Sequence, residues 1–295
     1  MRRSNFHHIP VLLKEVIDNL AIKQGHKYID ATLGGGGHTE EILKHGGLVL
    51  GIDQNKEAIG AVRTNFQLPI SNSQLVLALG NFGEIEKIAK DNGFENVAGI
   101  LFDLGMSSFQ VDASGRGFSF LKDEPLDMRM GETNLTAKEI INTWSKDELY
   151  DLFSKLGEEE FSLPISNNII ERRKVKPIET TGELVSVIEE VVKRKDVRLH
   201  PATRVFQALR MSVNSEIDNL KKGLDQSMNL LGSGGRLLAI SFHSGEDRVV
   251  KRKFLEFEEE GKGKVLNKKP IIASLAEENV NPRSRSAKLR IFEKL

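Results

Sequence analysis

Asp30-Ala31-Thr32-Leu33-Gly34-Gly35-Gly36-Gly37-His38 opens where the strand-like run Lys27-Tyr28-Ile29-Asp30 should turn into a first helix. A strand, a glycine-rich turn and a helix in that order make one ligand-binding edge of a parallel sheet. Glycines let the backbone come close to a bound group, and a helix N-terminus presents amide donors. Neither common phosphate loop fits. No Gly-Lys-Ser or Gly-Lys-Thr follows, so this is not a P-loop, and counting G-x-G-x-x-G from Gly34 puts Thr39 where the third glycine belongs. Taken alone, the segment is also compatible with a flexible turn.

The surrounding pattern supports a sheet. Leu48–Asp53, Leu75–Leu79 and Ala98–Asp103 are short apolar runs alternating with helical periodicity, as buried parallel strands require. Asp53 ends the second run, sixteen residues after Gly37, where a carboxylate can accept from both hydroxyls of a ribose and so suits an adenosine; the alternative is a helix N-cap. Asn81-Phe82 and Asp103 end the third and fourth runs and face the same crevice outside the carboxyl ends of the strands. Phe82 there either packs on a purine or joins the core.

After Asp103 the strand rhythm stops. Residues 111–210 carry helix punctuation instead: Ser145 with Glu148 and Thr180 with Glu183 are spaced as capping boxes, Gly157 fits a helix end, and Pro177 blocks continuation. The rhythm resumes at Gly235–Phe242, after a Leu231-Gly232-Ser233-Gly234 turn, and closes with Leu289–Phe292. The chain therefore divides into 1–110, an inserted helical domain 111–210, and 211–295. The expected fold class is α/β, a mostly parallel sheet with helices on both faces plus an all-helical insert.

Composition narrows the chemistry. There is no cysteine, which excludes disulfides, thiolate metal sites, iron–sulfur clusters and cysteine nucleophiles. No Gly-x-Ser-x-Gly elbow or His-Glu-x-x-His pair is present, and the seven histidines show no metal-ligand spacing, so no metal is expected. No apolar stretch is long enough to span a bilayer and no secretory leader is evident, which points to the cytoplasm. Forty-two basic residues balance forty-two acidic ones, so attraction to phosphate must be local. Positive charge concentrates between Glu171 and Arg210 and between Arg248 and Leu295, and negative charge between Glu132 and Glu160. Each cluster also reads as an ordinary solvated face.

Several longer stretches resemble the MraW family of ribosomal RNA small-subunit methyltransferases. They are His8-Ile9-Pro10-Val11-Leu12-Leu13, the Asp30–His38 loop, Asp103-Leu104-Gly105-Met106-Ser107-Ser108, Arg116-Gly117-Phe118-Ser119-Phe120 with Leu126-Asp127-Met128-Arg129-Met130, His200-Pro201-Ala202-Thr203-Arg204 with Phe206–Arg210, and Ser241-Phe242-His243-Ser244. The resemblance covers nearly the whole chain. It implies a class I, Rossmann-like S-adenosylmethionine methyltransferase fold, a substrate-recognition role for the insert, and N4 methylation of a cytidine in the decoding region of 16S ribosomal RNA. By position it carries cofactor contacts onto Gly36, Gly37, His38, Asp53, Phe82, Asp103 and Gln110. The partner implied is small-subunit ribosomal RNA or the 30S subunit; a homodimer stays open. Two positions depart from the family pattern: Gly245 stands where leucine is usual, and Ser162 with Pro164 falls in a stretch that is usually one continuous helix.

Methyl transfer to an aromatic amine sets its own demand. The amine lone pair is delocalised into the ring, so acceptors must hold the amine hydrogens and aim the lone pair at the methyl carbon. Asp103 and nearby carbonyls suit that role, with Ser107 and Ser108 as positioning groups or plain turn formers. Two rival readings share some of these residues. A nicotinamide-dependent oxidoreductase would use the glycine turn and Asp53 but lacks the third glycine. A non-catalytic RNA-binding or assembly protein on a methyltransferase fold would have little need of the Asp103 loop.

Overall fold

The computed structural model describes residues 9–66, 74–105, 115–131, 133–193 and 200–295. Two compact units emerge, Met1–Ser107 with Ile217–Leu295, and Ser108–Glu216. The first holds α1 (Leu13–Leu20), β1 (Lys27–Asp30), α2 (Gly37–Lys44), β2 (Leu48–Asp53), α3 (Lys56–Asn65), β3 (Leu75–Leu79), α4 (Ile85–Asp91) and β4 (Val97–Asp103). The second contributes α5 (Ala137–Thr143), α6 (Lys146–Asp151), α7 (Ser162–Val175), α8 (Thr181–Val191) and α9 (Ala202–Val213). The chain then continues through α10 (Glu216–Leu230), β5 (Leu231–Ser241), α11 (Ser244–Glu259), β6 (Gly263–Val265), α12 (Leu275–Val280) and β7 (Lys288–Lys294). Among the described residues no helix is long and apolar enough to cross a membrane.

The seven strands lie in the order β3-β2-β1-β4-β5-β7-β6. β1 to β5 pair in parallel, and β7 runs antiparallel to both β5 and β6. This is the mostly parallel α/β sheet expected from the sequence. Strand order reverses between β1 and β4, and open α/β sheets bind ligands at such a switch point. Side chains alternate between the faces with period two. Ile29, Leu50, Ile100 and Phe102 pack with Ile85 of α4, Leu224 of α10 and Phe254 of α11. Tyr28, Val49 and Leu101 pack on the other face with Val16 of α1 and Ile42 of α2.

β1, β2 and β3 have the expected bounds, whereas β5 begins four residues earlier than the sequence pattern suggests. Val97 pairs with Leu231, then the register slips so that Gly99 pairs with Arg236. The Gly232-Ser233-Gly234 segment is thus a bulge in a strand and not a turn before one, with Gly234 at φ +72°. β6 carries too short a pattern to be read from sequence.

In the second unit both expected capping boxes form, and a third joins Thr136 to Glu139. Pro164 sits in the first turn of α7, where its missing N–H leaves no intrahelical bond unmade, so the helix starts at Ser162 and is not interrupted. Gly157 caps a helix end but at φ −82°; the left-handed residue is Glu158, at φ +49°. Gly157 is a close approach instead, since a Cβ there would lie 2.6 Å from the Phe153 carbonyl oxygen and 2.9 Å from that of Arg204. The Leu126–Met130 stretch is locked by Asn214, whose Oδ1 accepts from the Met130 N–H and whose Nδ2 donates to the Met128 carbonyl, both at 2.8 Å. Arg129 grips Asp127 through two 2.7 Å bonds.

Phe254 is 1% exposed and packs 5.6 Å from the Phe292 ring at the centre of one core face. Phe254→Ala should therefore destabilise the protein by about 3–5 kcal/mol through lost burial plus the cavity left behind. Urea unfolding of the variant checks this, and a loss below about 1 kcal/mol would contradict the packing described.

Candidate functional site

The carboxyl ends of β1, β2 and β4 gather the acidic residues singled out in the sequence. Asp30, at the end of β1, is 1% exposed and accepts from the Thr39 hydroxyl at 2.7 Å and the Thr32 N–H at 3.2 Å. Burial pushes its carboxyl up to about 6, with Asp53 adding repulsion. Asp53 accepts the Gly34 N–H on Oδ2 and the Asn55 N–H on Oδ1, each at 2.8 Å. Burial raises this carboxyl too. With the Gln54 N–H as a third backbone donor, Asp53 ties down the glycine loop and still has capacity for a further donor from a ligand.

The glycines serve packing as well as the loop. Gly36 is left-handed at φ +78°, where it caps α2. A Cβ on Gly36 would lie 2.8 Å from the Phe66 ring, and one on Gly37 2.9 Å from the Pro10 ring. Both positions are therefore closed to any larger residue by the protein itself, beyond what a ligand would require. The first amides of α2 have no intrahelical acceptor, the arrangement that favours negative or hydrogen-bonding ligand atoms.

Phe82 lies in a short 3-10 turn after β3 and meets Phe102 edge to face at 5.6 Å, partly committed to the core. Asn81 accepts the Gly83 N–H and donates to the Gln54 side chain.

Asp103 ends β4, and its N–H donates to the Thr32 hydroxyl at 2.6 Å, which stitches the ends of β4 and β1 together. Its side chain is 17% exposed, with Oδ2 3.6 Å from His38 Nδ1. Oδ1 is buried and has no hydrogen-bond partner among the described residues. Burial, then the charges of Asp30 and Glu246, push the carboxyl up to about 8. His38 is 5% exposed, and its Nε2 lies 3.0 Å from the Val11 carbonyl oxygen. A carbonyl can only accept, so Nε2 carries the hydrogen and the Nδ1 lone pair of the neutral ring faces Asp103. Ser107, Ser108 and Gln110 lie outside the described residues.

The sequence pattern does not single out Glu246, which the fold buries to 4% exposure close enough to raise Asp103. The only local sign is its place three residues after His243 at a strand end. Asp30 was legible as a strand end but not as a partner in the charge cluster. Among the described residues no group of three or more acidic and histidine side chains could hold a metal ion.

The model of the MraW methylase family matches residues 5–295. Proteins named ribosomal RNA small subunit methyltransferase H from Clostridium botulinum are similar over nearly their whole length. The one from strain Loch Maree is 44% identical, with 98% of this chain and 99% of that protein covered. The one from strain 657 is 45% identical with the same coverage.

Asp103 gives the site a pH signature. Its carboxyl stands near 8 in the folded protein against an ordinary value of 3.8, so the folded state holds the extra proton between those limits. The stability this proton lends is present at low pH and is lost as pH rises toward 8. Asp103→Asn abolishes that loss, so the variant should gain stability relative to the unmodified protein between about pH 5 and about pH 9. Denaturation midpoints of both proteins across that range provide the measurement, and parallel curves would exclude a raised Asp103.

Proposed function

The chain belongs to the MraW methylase family, and from that premise we propose that it methylates small-subunit (16S) ribosomal RNA from S-adenosylmethionine, at the N4 amine of a cytidine in the decoding region. The observation that carries the reading is Asp103: a strand-end carboxyl at the switch point, beside the glycine loop, with one buried oxygen that no described residue satisfies. Such a substrate would place the protein in the cytoplasm.

The residues suit a cofactor bearing a ribose and a cationic sulfur. Asp53 keeps capacity to accept from a ribose hydroxyl beyond its three backbone donors, the α2 amides adjoin it, and Phe82 follows the neighbouring strand. Asp30 and Asp103 supply negative potential. A cation bound beside Asp103 favours its ionised form. When bound, S-adenosylmethionine supplies a methyl carbon made electrophilic by positive sulfur.

The chain's own groups then handle the amine. Asp103 Oδ1 accepts one amine hydrogen and so orients a weak nucleophile. As the nitrogen gains carbon it becomes acidic, and its proton passes to the Asp103 carboxylate. The burial and neighbouring charges that raise this carboxyl in the ligand-free protein make it a readier proton acceptor than an exposed aspartate. The His38 Nδ1 lone pair, 3.6 Å from Oδ2, faces the carboxyl that receives it. The target base reacts unpaired, because pairing with guanine occupies the amine.

The helical insert is the proposed RNA-recognition element. Arg172 and Lys174 on α7 are exposed and make only surface ion pairs, Arg172 with Glu190 at 3.7 Å and Lys174 with Glu171 at 2.7 Å. Such pairs are weak and exchange readily for phosphate. Arg173 differs: its Nη1 donates to the Ile141 carbonyl at 2.7 Å and closes the C-terminal turn of α5.

Two measurements test the reading. Asp53→Ala should weaken S-adenosylmethionine binding by on the order of 1.5–3 kcal/mol by calorimetry, and Asp103→Asn should lower turnover by on the order of a hundredfold with RNA affinity intact. Were saturating cofactor to restore the Asp103→Asn rate, Asp103 would be a cofactor grip and not an amine acceptor; normal rate and normal affinity would refute both roles.

Reversing the charge of Arg172 and Lys174 should weaken RNA binding and flatten its salt dependence by roughly one unit or less per residue. Unchanged affinity and slope in filter binding across a salt series would return α7 to a solvated face.

A further inference from the structure

The carboxyl end of β5 carries a buried assembly that the cofactor and amine roles above leave unused. Glu246, in the first turn of α11, accepts the Phe242 N–H on Oε2 at 2.9 Å. Its own N–H donates to His243 Nδ1 at 3.4 Å, which caps α11. A neutral ring that accepts at Nδ1 carries its hydrogen on Nε2, and that atom sits 3.1 Å from Glu246 Oε1 without a hydrogen bond to it or to any other described residue. One residue thus engages both parts of the strand end, its carboxylate taking the Phe242 N–H and its backbone N–H meeting the His243 ring.

That strand end in turn supports the start of the Asp103 loop. The Leu104 N–H donates to the Ile240 carbonyl at 2.9 Å. Gly105 follows at φ +145°, and a Cβ there would lie 3.0 Å from the Phe242 ring. Gly245 also fits this arrangement. A Cβ at that position would lie 3.1 Å from His243 Nδ1 and 3.2 Å from Cε1, so glycine leaves the ring its setting. Capping α11 requires only His243, and a carboxylate withdrawn from water for packing alone is a poor bargain.

We propose that Glu246, acting through His243 and Phe242, is a positioning residue for methyl transfer: it braces the wall against which Leu104 and Gly105, directly after Asp103, are set and keeps that wall anionic. This rests on the methyltransferase reading. The charged and titratable groups facing Asp103 among the described residues are Asp30 at the end of β1, His38 on α2 and Glu246 on α11. Glu246 is the one whose charge can be removed without touching the cofactor loop. Its repulsion raises the Asp103 carboxyl, which makes Asp103 a stronger proton acceptor and sets the acid limb of the rate profile.

The test is methyl transfer by the full-length protein to small subunits lacking the modification, between about pH 6 and about pH 10. Glu246→Gln keeps the size and the Phe242 acceptor but loses the charge beside the His243 ring. Turnover should fall about tenfold, KM for both substrates should stay within about twofold, and the acid limb should move to lower pH. His243→Asn keeps a competent helix cap and the Glu246 charge, so turnover should fall while the acid limb does not move down. A folded Glu246→Gln protein with unaltered turnover and pH profile overturns the proposal, even if its melting temperature drops. If that variant does not fold, unaltered turnover in His243→Asn overturns it. Unmodified protein that transfers no methyl group overturns the methyltransferase reading and this proposal together, whereas an active parent with unaffected variants overturns this proposal alone.

Discussion

Repulsion among carboxylates withdrawn from water is the constraint on which the rest of the site depends. Asp30, Asp103 and Glu246 come from β1, β4 and the start of α11, elements that adjoin only because strand order reverses at the middle of the sheet. Buried like charges raise one another's proton affinity, so such a cluster persists only where hydrogen bonds hold its members or a cation relieves it. Asp30 is held by Thr39 and Thr32, and the Glu246 carboxylate by the Phe242 N–H. Asp103 is the least satisfied of the three, which leaves it available for ligand chemistry.

The scaffold meets this constraint with short, local bonds. Thr32 serves both strands at once, its N–H on Asp30 and its hydroxyl accepting from the Asp103 N–H. Asp53 fastens the glycine loop through Gly34, while Pro10 and Phe66 close in behind Gly37 and Gly36. The N-terminal segment is fixed from afar: the Leu12 N–H donates to Glu277 of α12 at 2.7 Å, and the neighbouring Val11 carbonyl sets the tautomer of His38. A carboxylate near the C-terminus of the chain thus bears on which nitrogen of a site histidine is protonated.

The sheet was legible because strands buried on both faces read as unbroken apolar runs, as Leu48–Asp53 and Ala98–Asp103 do. What failed to register was backbone irregularity and brevity. Gly232-Ser233-Gly234 has the composition of a turn, yet the pairing of Val97 with Leu231 makes it a bulge, and Gly-Lys-Val at β6 is too short to show a period. In the site, the places of Asp53 and Asp103 followed from strand ends alone. Glu246 could not be found that way, since nothing in its own segment reveals that the fold removes it from water and sets it near Asp103. The glycine loop was legible as a close approach, but not that protein side chains occupy much of the space behind it.

The long excursion between β4 and β5 also has a kinetic consequence. β4 lies between β1 and β5, and its pairing of Phe102 with Ala239 must wait until the whole of Ser108–Glu216 has been made. Closing so long a loop costs entropy before any contact repays it, and pairings distant in sequence form slowly. On the ribosome, β1 to β4 emerge first with one flank of β4 bare, a strand edge able to pair with the wrong neighbour. The compact helical insert can fold by itself in that interval and shorten the effective tether. Assembly of the charge cluster is then the last event, since Glu246 arrives only with α11.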